Sequence, residues 1–281
     1  MEALLLSAGL GTRLRPLTDK LPKCLMPIWG RPIIGIWLEM LRRTTVKTVF
    51  INLHHLAPMV REYIESSPYK DMVYFLDEPL LLGTAGTISR FRSAFNSEDL
   101  LVAHADNLSI FSLENFQNTY LKRAKDVDIT MMTFTTETPE SCGIIERDSS
   151  GRVIKFIEKP KQFIGNLANG AVYIMHLPTI LEFLDQRPTA SDLSTEVLPH
   201  FVNRMNCFHN SVYHQDIGNI SALANAQIDI EAVLEARSII KRTPVYWTAD
   251  QSRQSTLESI EYLLSVLEVE PSQKSKITLR D

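Results

Sequence analysis

The sequence predicts an α/β fold: a doubly wound, mostly parallel sheet, a small β-rich insertion in the second half, and a helical carboxyl-terminal tail. Three observations carry that prediction. Ala3 to Leu6 is a continuous apolar run ending in Ser7-Ala8-Gly9, as a strand buried on both faces and feeding a turn would read. Strand-like runs then alternate with segments of helical period as far as Phe134, the order expected of a parallel sheet covered by helices. The length of 281 residues, 44% hydrophobic and 22% charged, allows one large domain with an appendix and excludes a small stapled scaffold.

The elements follow in order. Pro32 can open a helix whose apolar positions are Ile33, Ile34, Ile36, Trp37, Met40 and Leu41. Thr48 to Leu53 reads as a strand, Met59 to Ile64 as helical and Met72 to Leu76 as a strand. Ala85 to Phe95 reads as a helix, Leu100 to Ala103 as a strand ending near Asp106, Leu113 to Ala124 as a helix and Ile129 to Phe134 as a β-rich run. The second half changes character. Gly143 to Glu146 and Val153 to Ile157 flank Asp148-Ser149-Ser150-Gly151, a hairpin signal. Ala171 to Met175 is another strand, and Asp192 can cap a helix that Pro199 disturbs. From Ile220 the pattern is helical, with an apolar stripe of Leu257, Ile260, Leu263, Leu264 and Leu267. The last residues, Ser272 to Asp281, are polar and expected to be loose. The division expected is a domain over residues 1–230 and a helical extension over 231–281.

Charge and cysteine usage limit the function classes. The net charge of −4 lacks the basic footprint of a duplex nucleic-acid binder. Cys24, Cys142 and Cys207 form no CxxC pair and no zinc spacing, which suits a reducing compartment. The first residues lack the basic start and long apolar core of a signal peptide, and no stretch has the apolar length of a membrane helix. A cytoplasmic enzyme without nucleic-acid or membrane partners is expected.

The chemistry concentrates near the amino end. In SAGLGTRLRP, residues 7 to 16, Gly9 and Gly11 let the backbone turn tightly, and successive N–H groups can face phosphate oxygens. Arg13 and Arg15 add forked cationic donors and Lys23 a compact one. The segment lacks the third glycine of a dinucleotide turn and the GK[ST] ending of a P-loop. A bare GxG can also be a structural turn, and Arg15 a surface cation beside the site.

The longer string LLLSAGLGTRLRPLTDKLPKCLMPI resembles the signature of the sugar-1-phosphate nucleotidyltransferases, which runs GxGTRLxPLT, then PK, then proline. The resemblance continues to about residue 220 and implies a Rossmann-like domain whose β-rich insertion binds a sugar. It implies that Arg13 and Lys23 are catalytic and that Ala8, Gly9, Gly11 and Thr12 cradle a nucleoside triphosphate. EPLLLGTAG, with Glu78, Gly83 and Gly86, is similar to a family loop bordering the nucleobase and ribose. Its residues alone would equally suit a helix start. Asp106 in AHADN and Asp216 in HQDIGN resemble the two aspartates that hold Mg²⁺. An isolated aspartate after a strand can also be a cap. Glu158 and Lys159 in FIEKP, Gly143 in SCGIIE and Asn169 in NGAVY resemble the residues that hold the sugar and its phosphate. A Glu-Lys pair can also be a solvated surface pair. Ser7-Ala8 and Cys24 depart from the commonest family residues.

The resemblance thus implies Mg²⁺-dependent transfer of a nucleotidyl group from a nucleoside triphosphate to a sugar 1-phosphate, releasing pyrophosphate, within nucleotide-sugar and polysaccharide biosynthesis. It leans to GTP and to a mannose- or heptose-type sugar. Uridylyl, thymidylyl or cytidylyl transfer, a non-catalytic regulatory relative and a transferase for another phosphorylated alcohol remain alternatives. The tail reads either as an intramolecular face or as the contact of a homo-oligomer. His54, His55, His104, His209 and His214 offer a rival metal reading, but no pair has HxH or HExxH spacing and each also suits a structural role.

Overall fold

Ala3 and Leu5 of the first strand pack into one apolar cluster, and Leu4 and Leu6 into another. The run is apolar at every position because successive side chains leave a strand on opposite faces and both faces are covered. The computed structural model describes residues 1–28 and 31–237. The first half contains β1 (Glu2–Leu6), a short ladder of β2 (Pro27–Ile28) and β3 (Arg31–Pro32), α1 (Ile33–Arg42), β4 (Val49–Leu53), α2 (Ala57–Glu65), β5 (Val73–Asp77) and α3 (Thr84–Arg90). Next come β6 (Asp99–His104), β7 (Asn107–Ile110), α4 (Leu113–Leu121), β8 (Ile129–Thr135), β9 (Gly143–Arg147) and β10 (Val153–Glu158). The remainder is β11 (Leu167–His176), α5 (Leu177–Asp185), β12 (Met205–His209), β13 (Tyr213–Asp216) and α6 (Ile220–Arg237).

The main sheet runs β10-β9-β11-β6-β1-β4-β5, with β8 beside β11 and β12 beside β8. β1 pairs in parallel with both β4 and β6. The chain therefore moves outward from β1 on one side and later returns to its other side, which makes a topological switch point at the end of β1, where ligands of such sheets bind. The expected hairpin forms as β9 and β10 and joins the main sheet through β11.

Several boundaries differ from the sequence pattern. The helix expected over Ala85 to Phe95 ends at Arg90, followed by a separate 3₁₀ turn over Arg92–Ala94, and Phe95 joins the buried core. The helix expected to reach Ala124 stops at Leu121. Asp192 does cap, accepting the N–H of Thr195 at 2.8 Å. What it caps is one wide turn, Leu193–Val197, then a 3₁₀ turn with Pro199 near its start. Helix α5 and strands β7, β12 and β13 had no clear sequence signal. Helix α6 runs through residue 230 to Arg237, and the stripe from Leu257 to Leu267 and the polar end lie outside the described residues.

Candidate active site at the carboxyl edge of the sheet

The turn after β1 is built from its own short contacts. The Ser7 N–H donates to Asn52 Oδ1 at 2.6 Å, which ties the strand exit to β4. Gly11 has φ 60° and ψ 32°, and a Cβ there would lie 2.7 Å from Thr18 Cγ2. Glycine is required on both counts. Thr18 Oγ1 donates to the Gly11 carbonyl at 2.8 Å, locking the turn from beneath. Ala8 is buried, whereas Gly9, Thr12 and Arg13 are exposed. A Cβ at Gly9 would meet nothing within 4 Å, so this stretch of backbone opens onto free space.

Four charged groups from distant parts of the chain meet here. Lys23 Nζ lies 2.9 Å from Asp106 Oδ2 and 2.9 Å from Asp216 Oδ1. An Arg13 Nη lies 3.8 Å from Asp216 Oδ2. β13 pairs with β7 in a two-stranded ribbon that sets Asp216 opposite Asn107, next to Asp106. Burial alone would lower the Lys23 pKa, but attraction and hydrogen bonds from the two aspartates outweigh it, and the net direction is up. Burial likewise pushes Asp106 upward, and Lys23 with His104 reverses it to a net depression. Lys23 is thereby held as an ammonium and Asp106 as a carboxylate.

On the other flank, Gly143 stands opposite Glu158 in the β9–β10 hairpin. A Cβ at Gly143 would lie 2.6 Å from Glu158 Oε2. Burial raises the Glu158 pKa, Lys159 opposes that and Asp192 adds to it. Lys159 is exposed, with φ 46° and its N–H bonded to the Cys142 carbonyl at 2.9 Å. Asn169 is half-buried and donates to the Tyr173 hydroxyl at 2.8 Å.

The loop after β5 behaves differently. Glu78 is buried and turned inward, accepting from Asn52 Nδ2 at 2.9 Å, Thr87 Oγ1 at 2.5 Å and the Leu82 N–H at 3.2 Å. It anchors the loop, and through Asn52 it is linked to the Ser7 turn. Gly83 has φ 77°, and a Cβ there would strike the Ser191 carbonyl. The same carbonyl accepts the N–H groups of Ala85 at 2.8 Å and Gly86 at 3.3 Å. The close approach these glycines permit is thus filled by a protein turn.

The family model described as nucleotidyl transferase matches residues 2–233. The chain belongs to that family. Within it, a mannose-1-phosphate guanylyltransferase catalytic subunit beta from Dictyostelium discoideum is 28% identical over 226 residues, covering 78% of this chain and 61% of the relative. Mannose-1-phosphate guanylyltransferase 1 from Arabidopsis thaliana is 30% identical over 200 residues, covering 69% and 55%. The chain therefore spans about three fifths of the length of such relatives. A crystal structure of HddC from Yersinia pseudotuberculosis complexed with GMP-PN superposes with a TM-score of 0.67 at 22% identity, covering 80% of this chain and 97% of that one. That likeness is one of fold.

Three of the histidines near the site act as structural partners. His54 Nδ1 pairs with the Glu78 carbonyl at 2.8 Å, and His55 Nε2 with the Thr18 carbonyl at 2.7 Å. His214 Nδ1 pairs with Ser109 Oγ at 2.7 Å. Burial brings the His214 pKa down to about 4, with Asp216 opposing and His104 adding to the shift. Among the described residues, no group of three or more His, Cys, Asp and Glu side chains is placed to hold a metal ion. Cys24 is buried, its thiol pushed up to about 12 by burial and then by Asp106. Arg15 is a surface cation paired with Asp19 at 3.1 Å. Sequence reasoning missed Asn52, Thr18 and Tyr173, which act by holding other site residues. The one advance signal was the threonine of the LT pair following RLRP.

Proposed function

We propose that this nucleotidyl transferase family member catalyses Mg²⁺-dependent transfer of a nucleotidyl group from a nucleoside triphosphate to a sugar 1-phosphate, releasing pyrophosphate. GTP and a mannose- or heptose-type sugar 1-phosphate are the favoured pair, a lean supported by the mannose-1-phosphate guanylyltransferase relatives. The observation that carries the reading is the meeting of Arg13, Lys23, Asp106 and Asp216 beside the open Gly9 turn. No helix among the described residues is long and apolar enough to cross a membrane.

The donor set fits Mg²⁺. Two carboxylates already converge on one cationic nitrogen at 2.9 Å each. Mg²⁺ prefers hard oxygen and typically takes one or two carboxylates, completing its sphere with water and substrate phosphates. Asp106 and Asp216 would hold it, and it would supply neutralisation of the reacting phosphate oxygens. His54, His55 and His214 are engaged with protein partners and are not part of this set.

The reaction needs little proton chemistry. A sugar phosphate oxygen is already an anionic nucleophile. It attacks the α-phosphorus, the bond to the β-phosphate oxygen breaks, and pyrophosphate departs with the electron pair. The obstacles are repulsion between anions, alignment, and charge in the transition state. Ala8, Gly9, Gly11 and Thr12 present backbone to the triphosphate. Arg13, exposed and weakly paired at 3.8 Å, is free to turn to the β- and γ-phosphates. Lys23 serves the α-phosphate, its charge secured by two aspartates. Lys159 receives the sugar phosphate, while Gly143, Glu158 and Asn169 hold the ring. Glu78, Gly83 and Gly86 shape the base side from beneath. Residues 1–230 form the catalytic domain in this reading, and residues 231–281 an extension that packs on that domain or joins copies of the chain.

A pyrophosphate-release grid of the common triphosphates against hexose and heptose 1-phosphates, with and without Mg²⁺, tests the reading. Mg²⁺-dependent release with at least one pair is expected, and GTP with mannose 1-phosphate should rank high. Silence across the grid would favour a non-catalytic relative. Release without any sugar phosphate would favour a different acceptor.

A further inference from the structure

We propose that Tyr173 is a positioning residue whose hydroxyl aims the Asn169 carboxamide at the sugar. This rests on the sugar-side reading of Asn169 given above. Tyr173 is fully buried within an apolar cluster. The ring alone would pack there as phenylalanine, so the hydroxyl must find a polar partner. It finds one in Asn169, whose Nδ2 donates to it at 2.8 Å, and the nearby Ser194 side chain acts on the same phenol.

The backbone between these residues is bent to make that contact. Strand β11 loses register against β8 between Asn169 and Tyr173. Ala171 within the break has φ 53°, a region non-glycine residues seldom occupy. The Ala171 N–H donates to Asn169 Oδ1 at 3.0 Å. Both ends of the carboxamide are therefore fixed, one by backbone and one by Tyr173. A carboxamide has two N–H donors and two lone pairs on its oxygen. One of each is used here, leaving one of each for a sugar hydroxyl in a set orientation. Bulges that re-aim a side chain are typical next to sites of function.

The support behind Tyr173 is also tied down. The Glu196 carboxylate accepts the N–H groups of Ser191 and Asp192, each at 2.8 Å. The Leu193 N–H donates to Thr84 Oγ1 at 2.7 Å, and the Ser191 carbonyl accepts from Ala85 and Gly86. One turn thus braces the loop of Gly83 and brings Ser194 beside the Tyr173 phenol. Asp192 of that turn also acts on Glu158. A turn with these contacts on both sides keeps the base-side loop and the sugar-side amide in a constant relation.

Steady-state kinetics with GTP and mannose 1-phosphate, or with the pair the substrate grid returns, tests this. Tyr173→Phe is expected to raise KM for the sugar 1-phosphate about tenfold, leaving KM for the triphosphate within about twofold and kcat within about threefold. Ser194→Ala should move the same KM in the same direction by less. Asn169→Ala sets the scale. If Asn169→Ala leaves the sugar KM unchanged, the sugar-side reading of Asn169 falls and this proposal with it. If Asn169→Ala raises that KM and Tyr173→Phe does not, the positioning role alone is overturned. A Tyr173→Phe enzyme that melts early and raises both KM values together also overturns it, because loss of packing has no reason to favour one substrate. Should Tyr173→Phe fail to fold, Ser194→Ala decides by the same split between the two KM values.

Discussion

The two flanks of the site are built from different physics. The flank around Lys23 is ionic: an ammonium is shared by Asp106 and Asp216, with Arg13 at the edge. The flank around Asn169 is largely neutral and geometric: an amide is pinned by a backbone N–H and a phenol, and a carboxyl group at Glu158 is held upward in pKa by burial. In the proposed reading, triphosphates differ little in shape and carry much charge, so charge placement would handle them, whereas sugars differ in the direction of single hydroxyls, which a fixed hydrogen-bonding plane would sort.

The hardest way to break the ionic flank is to remove a carboxylate. Asp106→Asn and Asp216→Asn should each lower kcat roughly a hundredfold, the scale of losing one preorganised electrostatic contact, read by Mg²⁺-dependent pyrophosphate release. An Asp216→Asn enzyme with full activity and unchanged Mg²⁺ dependence would remove the two-carboxylate site. On the opposite flank, Lys159→Ala should raise KM for the sugar 1-phosphate about tenfold while triphosphate KM stays within about twofold. Equal effects on both substrates would erase the contrast between flanks.

Two smaller effects separate architecture from chemistry. Gly11→Ala should destabilise by roughly 1–2 kcal/mol through its positive φ and its clash with Thr18, measured by thermal melting. Adding Thr18→Ser, which removes the clashing Cγ2, should recover part of the loss. Glu158→Gln should cut sugar affinity yet leave stability equal or slightly higher at neutral pH. The sign follows from linkage. A carboxyl group whose folded pKa is raised contributes stability that is full below its unfolded pKa, about 4.3, and lost as pH rises through the folded value. Asp106 has the opposite sign: its folded pKa is depressed, so its contribution is present above about 3.9 and lost as pH falls. Melting curves across pH 3 to 8 should therefore converge with the parent at the acid end and part from it towards neutral pH in opposite directions, Glu158→Gln upward and Asp106→Asn downward.

Much of this arrangement is legible in the chain, and the rest is hidden for identifiable reasons. Ala3 to Leu6 reads as a strand because burial on both faces leaves no polar position. The Gly9 turn, Arg13 and Lys23 sit in one short string, so local spacing reveals them. Strand β13 is half-buried and polar, and no alternation separates it from loop. Its partner β7 follows β6 after only two residues, Ala105 and Asp106, and reads as a continuation of it. Tyr173 and Ser191 are invisible as site residues because their work is done through others. Glu78 looked like a ligand contact, and its carboxylate is occupied inside the fold.

The β7–β13 ribbon has a consequence for how the molecule comes into being. A ribosome delivers Lys23 and Asp106 early, but Asp216 lies 193 residues beyond Lys23. Until β13 emerges and zips onto β7, the nascent chain carries a glycine turn and an ammonium with half of its counter-charge. The charged centre is therefore closed by the final strand among the described residues, and a chain halted before that strand would leave translation without it.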